Sequence, residues 1–329
     1  MKILFVDLQY DYGMKHRGPN EIGERGFRRA FERLGHEVEC FYYDDYLQRQ
    51  PELQTALLEK AKSYSPDLIY FILFGEQFEI TTLEQLKKSY KTMNWFGDDQ
   101  WRFDNFTKKY APHFTYSVTT DPFAISKYHQ IGIKDVFLSQ WAALEYEVAP
   151  EVSTQYEYDV SFVGGSHSVR RWFIKELAKR GIKVATFGYG WPAGPISLMK
   201  MADIFRSSKV NLNLSNSITY DLRYLLSNIK NPIVALKSDK AASQMKARNF
   251  EIPYLGGFQM TDYVPFLEKY LDIGNEIVCY RDVDEAAKLI QFYLGNDEAR
   301  ERIKAAGIQR ARNEHGYFHR HQKVFEQLP

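Results

Sequence analysis

Residues 3–8, Ile-Leu-Phe-Val-Asp-Leu, form a nearly unbroken apolar run, the pattern of a central parallel strand covered on both faces. A polar loop with Gly13 and Gly18-Pro19 follows, then helical periodicity from about Asn20 to Leu34, stopped by Gly35. A second strand spans 37–43 and a helix 51–64, and Pro66-Asp67 opens the run Leu68–Phe74. A helix near 82–90 leads to a strand ending at Trp95-Phe96-Gly97-Asp98-Asp99, and further strand–helix units fall at 113–131 and 135–141. This alternation predicts a doubly wound parallel sheet. From Gln140 to Glu157 the periodicity lapses around Pro150, which reads as a linker.

Alternation then resumes. Asp159-Val-Ser-Phe-Val reads as a strand, Gly164-Gly165-Ser166 as a turn and Val169–Arg180 as a helix ended by Gly181. A strand at 182–187, the loop Gly188-Tyr-Gly190-Trp191 onward, a helix near 197–206 and a strand at 209–214 follow. Residues 215–245 fit neither period. The stretch 246–257 begins a helix, and a strand at 276–280 precedes helices at 283–294, 297–314 and 317–327. The pattern predicts an α/β chain of two Rossmann-like domains, 1–145 and 158–316, with a final helix in 317–329.

Composition narrows the function. A chain of 329 residues exceeds a usual single core, in keeping with two domains. Its 43 basic and 42 acidic residues nearly cancel, which argues against nucleic acid as a partner and against a polybasic membrane anchor. The two cysteines, Cys40 and Cys279, each lie beside a strand and read as reduced thiols of a cytoplasmic protein. No apolar run reaches the ~20 residues of a spanning helix, and the first residues read as a strand and not a signal peptide.

The most informative stretch is Lys246 to Gly257, K-A-R-N-F-E-I-P-Y-L-G-G. Lys246 and Arg248 offer up to about eight N–H donors, and ionised Glu251 accepts only. Phosphate at one end of a ligand and vicinal hydroxyls at the other would satisfy both, as in a nucleoside diphosphate. The bland reading is an Arg248–Glu251 pair three residues apart on one helix, worth ~0.2–0.5 kcal/mol. Upstream, Gly164-Gly165-Ser166 with Arg170 and Arg171 has the strand–turn–helix form that cradles phosphate, or is simply a tight turn with exposed arginines. Asp98 and Asp99 end a strand, as a base or as a helix cap, and His16 lies in the first loop. Asp282-Val-Asp284 is better read as a helix cap with Glu285 than as a metal motif. His315, His319 and His321 lack a second ligand pair nearby and read as packing contacts for the last helix, so no metal site is expected.

Arg248-Asn-Phe250-Glu251, Gly256, Tyr280-Arg-Asp282 and His315-Gly-Tyr317-Phe-His-Arg320 together resemble the C-terminal half of the CgeB-like (spore-maturation-protein-like) glycosyltransferases, members of the group-1 set. The resemblance is clear from about Asp159 onward and weaker before it. It implies a GT-B fold, two Rossmann-like domains facing each other across a cleft, with the last helix crossing back to the first domain. It also implies transfer of a sugar from a nucleoside-diphosphate donor, UDP or GDP first, to a hydroxyl on a glycan, a lipid-linked sugar or a small molecule. No further cofactor is implied, and group-1 relatives are mostly retaining. Arg248 and Lys246 would stabilise the leaving diphosphate, and Glu251 would hold the ribose. Gly164, Gly165 and Arg170 would lie near the phosphates, Gly190 near the base or sugar, and Gly256 and Gly257 beside the donor. Asp98 or Asp99 would serve the acceptor. Many group-1 enzymes carry a second glutamate where this chain has Ser243. An epimerase or phosphorylase on the same fold, and a binding protein without chemistry, stay open, as does peripheral membrane contact.

Overall fold

The computed structural model describes residues 1–145, 155–215, 217–240 and 242–329. Residues 146–154 of the expected linker lie outside that range. The chain divides into two compact units, Met1–Glu145 with Tyr317–Pro329 and Tyr146–Gly316.

The first unit is a parallel sheet of β1 (Lys2–Asp7), β2 (Glu37–Tyr42), β3 (Leu68–Phe71), β4 (Lys91–Phe96), β5 (Tyr116–Thr119) and β6 (Val136–Leu138), in the order β2-β1-β3-β4-β5-β6. Its helices are α1 (Arg29–Arg33, preceded by the π-helical turn Ile22–Arg28), α2 (Gln50–Tyr64), α3 (Ile80–Ser89), α4 (Asp99–Arg102), α5 (Lys108–Tyr110) and α6 (Ala124–Gln130). Side chains alternate across β1 and β3. Leu4, Val6, Ile69 and Phe71 enter one core cluster, while the Phe5 ring packs with Phe27, Phe31 and Tyr70.

The second unit is a parallel sheet of β7 (Tyr158–Val163), β8 (Ala185–Phe187), β9 (Ser208–Asn213), β10 (Gln259–Asp262) and β11 (Val278–Tyr280), in the order β8-β7-β9-β10-β11. Its helices are α7 (Ser168–Lys179), α8 (Leu198–Arg206), α9 (Leu222–Ser227), α10 (Asn231–Lys237), α11 (Arg248–Tyr254), α12 (Val283–Gly295) and α13 (Asp297–Glu314). Sequence periodicity missed β10. Its Gln259 and Thr261 read as polar, yet both are buried because β9 and β11 flank the strand. The unassigned 215–245 stretch holds α9 and α10.

After α13 the chain returns to the first unit as α14 (Tyr317–Phe325). The His321 ring sits 4.5 Å from Phe27 and 4.7 Å from Phe31, and Phe325 packs 5.4 Å from Phe31. His321 Nε2 is 3.0 Å from the Gly26 carbonyl oxygen, and a Cβ on Gly26 would stand 2.9 Å from the Tyr317 ring. Burial holds the His321 imidazole down at about 3.

Both sheets reverse direction beside their first strand, between β1 and β3 and between β7 and β9. Such a reversal opens a crevice at the carboxyl edge, because the connections leave toward opposite faces.

Candidate functional site

In the second unit the crevice lies between the ends of β7 and β9. Two glycine loops interlock beside it. Gly164 N donates to the Phe187 carbonyl (2.9 Å), Ser166 N to that of Tyr189 (2.8 Å), and Trp191 Nε1 to that of Gly164 (2.8 Å). Gly188 has φ +119°, and a Cβ there would lie 2.5 Å from the Gly164 oxygen, so glycine is required for the loops to touch. Gly190, at φ +81°, packs on Ser166. The amides of Gly164 and Ser166 are therefore engaged within the protein. The Gly165 amide has no partner among the described residues and remains open to a ligand.

Arg170, in the first turn of α7, is the centre of this edge. Its Nη1 donates to the Gly165 carbonyl (3.0 Å) and Nη2 to the Leu214 carbonyl (2.7 Å), tying the ends of the two strands together. Its Nε is buried without a partner. Burial pushes the guanidinium down to about 10, Asp262 opposes that shift and Arg248 adds to it. A cation depressed in this way is under-neutralised by its surroundings, and a bound anion would relieve it.

Beside Arg170 is a cavity of about 190 Å³, lined by Arg170, Ser215, Ser217, Ser243, Asp262 and Tyr280 among others. The three serine hydroxyls form a chain, Ser215 to Ser217 at 2.8 Å and Ser217 to Ser243 at 2.9 Å. Asp262 accepts from Ser215 N (2.9 Å), and burial raises its pKa. Tyr280 Oη donates to the Asn213 carbonyl (2.6 Å). Of the site residues expected from sequence, Arg170 is the one that lines this cavity. Asp262 went unnoticed because β10 did; its place at a strand's carboxyl end is the signal that marks it.

The Lys246–Gly257 stretch begins α11, as the sequence suggests, and forms the Arg248–Glu251 pair. Arg248 Nη1 donates to Glu251 Oε2 (2.6 Å), contacts the Met201 sulfur and lies 5.4 Å from the Phe205 ring. Glu251 is 7% exposed. The pair three residues apart is thus formed, and Glu251 faces Arg248 instead of offering a free carboxylate. Lys246 N donates to Asn249 Oδ1 (3.0 Å), closing the start of α11. Gly256, at φ +92°, donates to the Pro253 carbonyl and Gly257 to that of Ile252 (3.0 and 2.9 Å), the paired bonds of a Schellman cap. Those two glycines end α11 and bring the chain into β10. The Arg248 charge is felt at Arg170 and lowers it further.

In the first unit Asp99 is 1% exposed and accepts from Thr107 Oγ1 (2.6 Å), Thr119 Oγ1 (2.5 Å) and Tyr128 Oη (2.9 Å). Burial pushes its carboxyl up to about 6 against those bonds. It is an internal acceptor joining α4 to β5 and α6, not a base facing solvent. Asp98, half-buried, precedes α4, and His16 is exposed in a 3-10 turn. Asp7, unremarked in the sequence, ends β1 at this sheet's reversal. It is 3% exposed, accepts from Leu8 N (2.7 Å) and Asn20 Nδ2 (2.9 Å), and is raised well above the carboxylate range by burial. Asp282 caps α12 through Asp284 N and Glu285 N, both 2.9 Å, while Glu285 reaches back to Arg281 N (2.8 Å). His315 Nε2 is 2.7 Å from the Tyr270 carbonyl oxygen.

Residues 170–326 match the protein family described as glycosyl transferase-like. No curated protein matches the chain. Among solved structures it is similar to HepE of Anabaena in complex with UDP, at 11% identity over 99% of each chain and a TM-score of 0.61. It is also similar to a glycosyltransferase from Rickettsia africae, at 8% identity over 99% of this chain and 97% of that one, with a TM-score of 0.65. Sucrose-phosphate synthase from Thermosynechococcus elongatus gives 11% identity over 99% and 98%, with a TM-score of 0.59. At these identities the likeness speaks for the fold.

Proposed function

We propose that the chain is a group-1 glycosyltransferase of the GT-B fold, one that moves a sugar from a UDP-sugar to a hydroxyl acceptor, using its own cations and not a metal ion. The observation that carries the donor half is Arg170, a guanidinium fixed at the reversal of the second sheet and short of negative charge. UDP is favoured over other nucleotides because HepE has been solved with UDP and with UDP-glucose.

Breaking the sugar–phosphate bond leaves negative charge on the departing diphosphate. Arg170 meets that charge, with Arg248 beside it, Lys246 at the approach to α11 and the open Gly165 amide. Glu251 positions Arg248 through their 2.6 Å contact, a role distinct from the ribose contact its family resemblance suggests. Asp98 is the carboxylate assigned to the acceptor, since Asp99 is enclosed. Retention of anomeric configuration, and kinship with the CgeB-like members, rest on the resemblance of the Arg248–Glu251 string. The acceptor is a hydroxyl compound of the glycan, lipid-linked or small-molecule kinds.

Calorimetry with UDP, followed by donor hydrolysis across UDP-, GDP-, ADP- and dTDP-sugars, tests this reading. The expected result is heat with UDP and turnover with UDP-sugars first. Arg170→Ala should weaken UDP binding about 10- to 150-fold, the ~1.5–3 kcal/mol of a charge-assisted hydrogen bond, with circular dichroism unchanged. Absence of heat with every nucleoside diphosphate sugar would overturn it.

A further inference from the structure

The α9–α10 hairpin, inserted between β9 and α11, exposes more aliphatic surface than any use inside the second unit explains. Its inner side is well anchored. Tyr224 is buried in the core cluster and its hydroxyl is 2.8 Å from Ser168 Oγ at the start of α7. Asn231 Nδ2 donates to the Tyr224 carbonyl (2.9 Å) and pins the second helix to the first, with Ala235 one turn further along the same inner side.

The outer side is the unusual one. Leu222 and Leu226, four apart on α9, are 71% and 84% exposed, and Ile229 in the connecting turn is 89% exposed. Ile233 and Leu236 continue the row on α10, with Leu236 at 84%. Isolated exposed leucines are ordinary, but a contiguous row of long aliphatic side chains on an anchored hairpin marks an interaction surface. Lys230 and Lys237 stand exposed among them, and no acidic residue occurs from Leu222 to Ser238. Arg223, the remaining cation of that span, is paired with Asp221 and Asp284.

We propose that this hairpin docks the protein on an anionic lipid surface. Leu222, Leu226, Ile229, Ile233 and Leu236 enter the boundary between headgroups and acyl chains, and Lys230 and Lys237 rest on lipid phosphates. Aliphatic side chains interspersed with lysine, the flanking Asp221 being paired with Arg223 and the exposed Asp239 lying beyond Lys237, have the composition of an interfacial element. A second copy of this chain fits less well, since a two-fold self-contact through so small a patch would set the same lysines near each other. No helix among the described residues is long and apolar enough to cross a membrane, so the contact is peripheral. The proposal stands apart from the glycosyl-transfer reading.

Co-sedimentation of the full chain with vesicles of phosphatidylcholine alone, or of phosphatidylcholine with phosphatidylglycerol, tests it. The expected result is binding to the anionic vesicles, lost in the L226S/I229S/L236S variant. The K230E/K237E variant should lose the anionic preference, each lysine accounting for about fivefold at low salt. These side chains are exposed, so both variants should keep the wild-type melting temperature. Failure of the folded wild-type chain to sediment with anionic vesicles overturns the proposal, as does sedimentation that the serine variant leaves unchanged. A dimer in sedimentation velocity that the serine variant dissolves, with no vesicle binding, overturns it in favour of self-association.

Discussion

Arg248 and Glu251 show how one pair of residues can serve the fold and the chemistry at once. Truncating Arg248 to alanine leaves Glu251 buried beside an apolar wall and should cost about 1–3 kcal/mol, read as a lower melting temperature. The double variant R248M/E251L should recover most of that stability while still losing UDP affinity. If it binds UDP like wild type, Arg248 is structural only. Asp99 offers a second test. Its carboxyl, pushed up to about 6, is more readily protonated in the folded chain than in the unfolded one. The fold therefore loses stability as pH rises from about 4 to about 6, by an upper bound of about 3 kcal/mol. His321, held at about 3, works the other way: the unfolded chain gains its proton below about 6.5, so stability falls with falling pH. Asp99→Asn should unmask the histidine slope and steepen acid destabilisation between pH 4 and 6, seen in melting temperature against pH. Sequence names these residues but not their partners, because burial and the neighbours across the sheet decide the role.

At the scale of elements, periodicity located most strands and helices of both sheets, since runs such as 3–6 and 68–71 are apolar throughout. It missed β10, whose polar Gln259 and Thr261 are buried beneath the flanking strands, a circumstance only the tertiary arrangement reveals. The glycine pair 256–257 was legible as important, and in the fold it ends α11. Gly256→Ala forces a side chain into φ +92° and should cost about 1–2 kcal/mol, with UDP affinity following stability and not exceeding it. Equilibrium unfolding alongside calorimetry distinguishes these outcomes. Helix α14 makes a comparable case. Gly26→Ala brings a methyl to 2.9 Å from the Tyr317 ring, and loosening of α14 should appear as earlier proteolysis after Gly316.

At the scale of the whole molecule, each unit has its own sheet and its own buried cluster. The proposed donor contacts all belong to Tyr146–Gly316. A fragment spanning those residues should therefore bind UDP within about tenfold of the full chain by calorimetry; loss of all binding would place essential donor contacts in the first unit. The two-domain organisation was readable from the repeated strand–helix alternation. The cavity was not, because its walls come from the ends of β9, β10 and β11, from α7 and from the 215–245 stretch, which has no period of its own.

The placement of α14 orders the birth of the molecule. Synthesis proceeds from the N-terminal side, so the first sheet leaves the ribosome early yet must wait through the entire second unit for the helix that covers Phe27 and Phe31. During that interval its aromatic flank is bare to chaperones and to neighbouring nascent chains, while Tyr146–Gly316 already has every residue it needs to fold.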